Sequence, residues 1–323
     1  MASPNLTELV TTTLRSRKTD VADNVANANA LLGWLSMRGR VKNATGGTTI
    51  TEPLMYAENS TYQRYSGYEI LDVSPSDVIS SAEYDWKQAS VNVIASGLET
   101  VIKNSGKEQV IDLLDARIEN AMITMRNNVN IDAYSDGTST NQLGGLQHLV
   151  AISPTTGTVG SINRANFAFW RNYTSGDIAN LDTDYDTLEK EMRDAVTNLT
   201  RGSERPSAAF TDDDLFSLYW SGLINIQRIE GTQEGNLGFR SLKFADIPVF
   251  LENSHGGGSS VGIRDKTMYF INDKYIFFRP HPQRFFEPQD RKEPVNQDAI
   301  VVPLLFAGNM TMSNASLQGV IYT

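Results

Sequence analysis

Eight apolar residues, Val110, Leu113, Leu114, Ile118, Ala121, Met122, Met125 and Val129, return at intervals of three and four along the middle of the chain. That spacing draws a single stripe down one face of an α-helix. It predicts a helix over residues 107–133, roughly 40 Å long at about 1.5 Å per residue, with the stripe as its core face. The helix stops at Asp136-Gly137, a turn signal, and a second turn follows at Gly144-Gly145-Leu146. The chain of 323 residues is long enough to surround such a helix with one large or two ordinary domains.

The segments on either side have different characters. Residues 1–49 are rich in Thr, Asn, Ser and Ala; residues 20–30 can turn helical, with Leu31, Leu32, Trp34 and Leu35 as their apolar end, and residues 38–47 read as a flexible arm. From residue 48 to 72, β-formers and aromatics (Ile50, Tyr56, Tyr62, Tyr65, Tyr68, Ile70) flank a polar turn near residues 57–61, which predicts a long hairpin. Two strands alone bury too little and leave both edges unpaired, so the hairpin needs a neighbour. Residues 82–96 read as one strand, leading through Gly97-Leu98-Glu99 into a short helix that stops at Ser105-Gly106.

Beyond residue 151 the pattern is mixed α and β. Leu188, Met192, Val196 and Leu199 share a helix face, Ala208 to Phe210 reads as a buried strand, and Thr211-Asp-Asp-Asp214 offers an N-cap and an acidic first turn to a helix through Leu215, Leu218, Tyr219 and Leu223. Strands are predicted at 239–244, 247–251, 267–271 and 275–279, and the tail, 299–322, is strand-like. The fold class is therefore α+β.

Charge and chemistry exclude more than they suggest. The 28 Lys and Arg against 38 Asp and Glu make sequence-specific nucleic-acid binding improbable, although a container for DNA is permitted. With no cysteine, disulfides, thiolate metal sites and cysteine nucleophiles are excluded. No signal peptide is recognisable and no stretch approaches the roughly 20 apolar residues that span a bilayer, so a soluble cytosolic protein is expected, with no membrane contact.

His255-Gly256-Gly257-Gly258 is similar to an esterase oxyanion loop, but the Gly-x-Ser-x-Gly elbow is missing, and a Gly-Ser loop explains it as well. His148, His255 and His281 lie far apart, Asp212, Asp213 and Asp214 fit a helix start, and residues 132–141 depart from the calcium-loop pattern. No phosphate-loop or dinucleotide motif occurs. The expectation is no catalytic residue, no cofactor and no metal.

In order, these pieces resemble the major capsid protein of tailed double-stranded-DNA bacteriophages, of the Hong Kong ninety-seven type. The stretch most specific to it runs from Trp86 to Leu146, with Ser96-Gly-Leu-Glu-Thr-Val, the long helix, Asp132-Ala-Tyr-Ser-Asp-Gly-Thr138 and Leu143-Gly-Gly-Leu146; Ser207 to Trp220 and Leu242-Lys-Phe-Ala-Asp-Ile-Pro-Val249 add to it. The resemblance implies an N-terminal arm (1–47), an extended β-hairpin loop (48–73), a peripheral domain with the spine helix (74–152 and 296–323) and an axial domain (153–295). It implies a structural protein of the virion, not an enzyme, assembled in the host bacterial cytoplasm as pentamers and hexamers of an icosahedral head around the DNA genome. Itself, a separate scaffolding protein, a portal protein and a decoration protein are the partners it suggests. No Lys lies between Asn43 and Trp86, so the namesake's covalent lysine crosslink on this loop is not expected. Tyr56, Tyr62, Arg64, Tyr65, Tyr68 and Trp34 are the candidate intersubunit contacts. An encapsulin-like compartment, with the same fold, and a hydrolase using the His255 loop are the alternatives.

Overall fold

The computed structural model describes residues 29–96, 113–226, 241–252, 262–290, 292 and 298–323. In chain order the elements are α1 (Ala30–Met37), β1 (Ile50–Met55), β2 (Ile79–Tyr84), β3 (Lys87–Ser96), α2 (Leu113–Asp132), α3 (Leu146–Leu149), β4 (Thr158–Val159), β5 (Ile162–Asn163), β6 (Tyr173–Asp177), α4 (Tyr185–Asn198), β7 (Ala208–Thr211), α5 (Asp213–Ile226), β8 (Ser241–Phe244), β9 (Ile247–Leu251), β10 (Thr267–Ile271), β11 (Ile276–Pro288), β12 (Ala299–Met312) and β13 (Gly319–Tyr322).

Two sheets organise them. Long antiparallel strands form the first, in the order β11-β12-β3, and α2 lies across it. The predicted stripe faces that sheet: Ala121, Met125 and Val129 are buried, Ile118 and Met122 partly so. Residues 107–112, where the helix was expected to begin, and the short helix before Ser105 lie outside the described residues.

The second sheet has six strands in the order β6-β13-β10-β7-β9-β8. Its inner strands are buried on both sides, because alternate residues enter different cores. Ala208 and Phe210 of β7, and Tyr269 and Ile271 of β10, join the core that holds α1, α2 and the first sheet. Ala209, Met268, Phe270 and Val249 point the other way, into a core shared with Leu188, Met192 and Ala195 of α4 and Leu215, Phe216 and Tyr219 of α5. A strand covered on two faces carries an unbroken apolar run, as in Thr-Met-Tyr-Phe-Ile of β10.

Local chemistry sets the element ends. Asp212 caps α5, its Oδ1 accepting from Leu215 N–H at 3.3 Å and its Oδ2 from Lys266 N–H, and burial pushes its carboxyl up to about 6. After α2 the chain turns at Asp136, whose Oδ1 accepts from Thr138 N–H at 3.1 Å. It then runs back so closely that a Cβ on Gly145 would stand 2.3 Å from Asp132 O and 2.4 Å from Ser135 N. Glu252, just past β9, binds three parts together: its Oε2 accepts from Ala30 N–H of α1 at 2.9 Å and from Tyr134 O–H beyond α2 at 3.0 Å. Burial pushes this carboxyl up to about 7.

Four expectations are corrected. Residues 82–96 are not one strand; Asp85 and Trp86 break them into β2 and β3, which join different sheets. The strand expected at 275–279 continues to Pro288, because β12 offers a partner along that length. Residues 40–44 are not a free arm but lie parallel along the edge of β11, with Lys42 N–H on Phe278 O and Ala44 N–H on Pro280 O, both at 3.0 Å. The fourth concerns the hairpin.

Candidate assembly surface

The hairpin exists, but its strands are not those the sequence suggested. β1 pairs with β2 in a register running from Ile50 opposite Tyr84 to Met55 opposite Ile79. The polar turn at residues 57–61 is a local Asx turn, Asn59 Oδ1 accepting from Thr61 N–H at 2.9 Å, and does not reverse the chain into a ladder. Tyr62, Tyr65, Tyr68 and Ile70 therefore lie in the connection between the two strands. Tyr56 N–H reaches Val78 O at 3.0 Å, and from residue 57 to 77 the remaining backbone-to-backbone bond is Tyr62 N–H to Asn59 O at 3.5 Å.

The base of this loop is pinned. β1 alternates inward Ile50, Glu52 and Leu54 with outward Thr51, Pro53 and Met55. Glu52 is buried and takes a bidentate pair from Arg279 of β11, Nε to Oε1 at 2.7 Å and Nη2 to Oε2 at 2.9 Å, while Thr311 of β12 donates to Oε1 at 2.8 Å. Such a planar, charge-assisted pair fixes orientation as well as distance. On β2, Tyr84 O–H donates to Met312 O at 2.8 Å, and Glu83 N–H donates to Gly160 O at 3.0 Å.

Beyond the base, the loop is apolar and uncovered. Tyr62, Tyr65 and Tyr68 are 80, 63 and 106% exposed, and Ile70 and Val73 are more than nine-tenths exposed. Arg64 stands among them, also exposed. Single exposed apolar residues are ordinary, but a run of them on one segment marks a surface that another molecule covers. A 23-residue connection without a ladder is unusual inside a compact domain and points the same way.

Two candidates sit elsewhere. Tyr56 is partly buried and packs on Phe169, ring centroids 5.7 Å apart, so it belongs to the loop's base. Trp34 is corrected outright: it is fully buried, tilted against Phe250 at 5.4 Å, and serves as a core residue joining α1 to the six-stranded sheet. Missed by the reading of the residues were Met55, Val73 and Ile79 as exposed members of the surface, and Glu52–Arg279 as its anchor. The signal for Glu52 was available in its alternation with Ile50 and Leu54.

Among the described residues no group of His, Asp and Glu is placed to hold a metal ion. His281 lies edge-on to Trp86 at 5.8 Å, and burial, helped by Arg164, pushes the His148 imidazole below its usual value. The His255 glycine loop lies outside the described residues. Among those residues no helix is long and apolar enough to cross a membrane.

A spine helix across a long three-stranded sheet, a six-stranded sheet flanked by two helices, and a pinned hairpin with an uncovered loop make up an α+β fold that is also that of tailed-phage capsid proteins. No protein-family model matches the chain, and no curated protein matches its sequence. Solved structures do. A subunit of the cyanophage A-1(L) capsid matches with a TM-score of 0.69 at 17% identity, over 96% of each chain. The capsid of Myoviridae phage XM1 matches at 0.58 and 13% identity, over 94% of this chain and 95% of that one. The SrpI encapsulin of Synechococcus elongatus matches at 0.57 and 9%, over 94% and 91%.

Proposed function

We propose that this chain is a structural major capsid protein that assembles into the pentamers and hexamers of an icosahedral phage head enclosing double-stranded DNA. The observation that carries it is the likeness to a phage capsid subunit over 96% of both chains, which leaves no large part of either fold unaccounted for. The exposed loop supports it physically. Tyr62, Tyr65, Tyr68 and Arg64 would lie on an adjoining copy, in a heterologous contact that repeats round a ring and closes into a shell. Many such contacts reinforce one another by multivalency.

In this reading residues 1–47 form the arm and the hairpin of β1 and β2 the extended loop, the three-stranded sheet with α2 is the peripheral domain and the six-stranded sheet with α4 and α5 the axial domain; the bounds expected from the sequence, 48–73, 74–152 with 296–323, and 153–295, shift because β2, β11 and β13 pair across them. The head would use separate scaffolding and portal proteins, and a decoration protein where the lattice needs one; its work requires no catalytic group. Negative-stain electron microscopy with light scattering, on protein expressed with and without its scaffolding partner, tests this. Closed shells, or rings and tubes of five- and six-fold units, are the expected result; a monodisperse monomer under every condition refutes it. The encapsulin match supports a second reading, a compartment with a protein cargo, and the contents of purified shells decide between DNA and cargo.

A further inference from the structure

Away from the loop, a cleft of about 420 Å³ opens between the turn after α2, the segment from Ala151 to Arg164, and the start of β10. Its basic residues are oddly placed. Arg164 is 1% exposed, yet no carboxylate lies within ion-pair distance of it among the described residues. One Nη donates to Leu149 O, while Nε–H meets no acceptor. Arg264 lines the same cleft from the exposed side; it rests over the Tyr322 ring at 5.8 Å and likewise has no carboxylate partner among the described residues.

A guanidinium taken out of water without a counter-charge is costly, and proteins keep such a group where an anion compensates it. Burial pushes Arg164 down only to about 10, so it remains a cation at neutral pH. The other lining groups are mixed. Ser153 contributes a hydroxyl, that of Thr156 donates to Ser153 O at 3.3 Å, and the Asp136 carboxylate, the one acid in the lining, accepts from Thr138 through N–H at 3.1 Å and O–H at 2.8 Å. We propose that this cleft binds a phosphate-class oxyanion between Arg164 and Arg264. Guanidinium groups match such an ion in both charge and donor geometry.

The test is thermal unfolding of the full chain, unassembled, in rising inorganic phosphate against chloride at matched ionic strength, with acetate as a second arm. Phosphate should raise the melting temperature in the manner of a ligand that binds the native state only, by an increment that grows with the logarithm of concentration above Kd. Arg264→Gln, on the exposed rim, should weaken the apparent affinity tenfold or more, and Arg205→Gln, an exposed cation that does not line the cleft, should leave it unchanged. Arg164→Gln should abolish the response; because it alters a buried position, Arg264→Gln is the deciding variant. No rise above chloride, an equal rise in wild type and Arg264→Gln, or acetate acting as strongly as phosphate would each overturn the proposal.

Discussion

If the loop lies on an adjoining copy as proposed, replacing Tyr62, Tyr65 and Tyr68 together by Ser should separate assembly from folding. A buried aromatic ring removes roughly 150 Å² or more from water. If an adjoining copy covers half of each ring, three rings withdraw about 220 Å², worth about 6 kcal/mol at roughly 25 cal/mol per Å². Ordering three side chains costs about 1 kcal/mol each, leaving on the order of 3 kcal/mol per contact. At about 1.4 kcal/mol per tenfold, the association constant should fall roughly 100-fold. The fold should not notice, because these rings touch little of their own chain and surface changes of this kind shift stability by only about 0.5 kcal/mol. Light scattering across a dilution series gives the concentration at which shells appear, and thermal unfolding of the unassembled chain gives stability. A variant that assembles at the wild-type concentration would refute the argument, as would one whose subunit is unfolded.

Other outcomes follow from single contacts. Glu52→Ala leaves the partly buried Arg279 guanidinium without its partner and should destabilise the chain by about 2–3 kcal/mol, with early proteolytic cutting in the loop that β1 anchors. Gly145→Ala drives a Cβ into the backbone of residues 132–135, and urea unfolding should register a loss of about 1–3 kcal/mol. Glu252 has its native carboxyl raised from 4.5 to about 7, so between those pH values the native state binds more protons than the unfolded one and stability falls as pH rises. The fall is on the order of 3 kcal/mol and is complete above about pH 7. Asp212, raised to about 6, adds a smaller fall of the same sign over a lower window. Glu252→Gln should flatten the Glu252 part of a stability–pH curve measured by chemical unfolding from pH 4 to 8; an unchanged slope would show that Glu252 does not titrate there.

How legible was this in the sequence? The spine-helix stripe was, because a face that meets a flat sheet must repeat at helical spacing; Ala121, Met125 and Val129 lie where the pattern put them. So were β7 and the acidic start of α5, where strand, cap and first turn all agree locally. The hairpin was misread because Tyr62, Tyr65, Tyr68 and Ile70 have the composition of a strand, while composition does not say whether a backbone partner is present. Trp34 was misplaced for a related reason: an apolar cluster beside a polar arm looks like a contact, and the residue that covers it, Phe250, is more than 200 positions away. Glu252, Arg164 and Arg279 were invisible, since buried and half-buried charges depend on neighbours brought in by the fold.

The order in which the chain is made gives the sheet topology a further meaning. β12 is the middle strand of the three-stranded sheet, and β13 sits between β6 and β10 in the six-stranded one. Both are synthesised after every strand they pair with, so the three-stranded sheet cannot close until translation has passed residue 312, nor the six-stranded one until it has passed residue 322. A nascent or broken chain that ends before Ala299 has the exposed loop but not the frame that Met312 and Thr311 provide for its base. The strands made last are thus the ones that complete the frame fixing the loop's base.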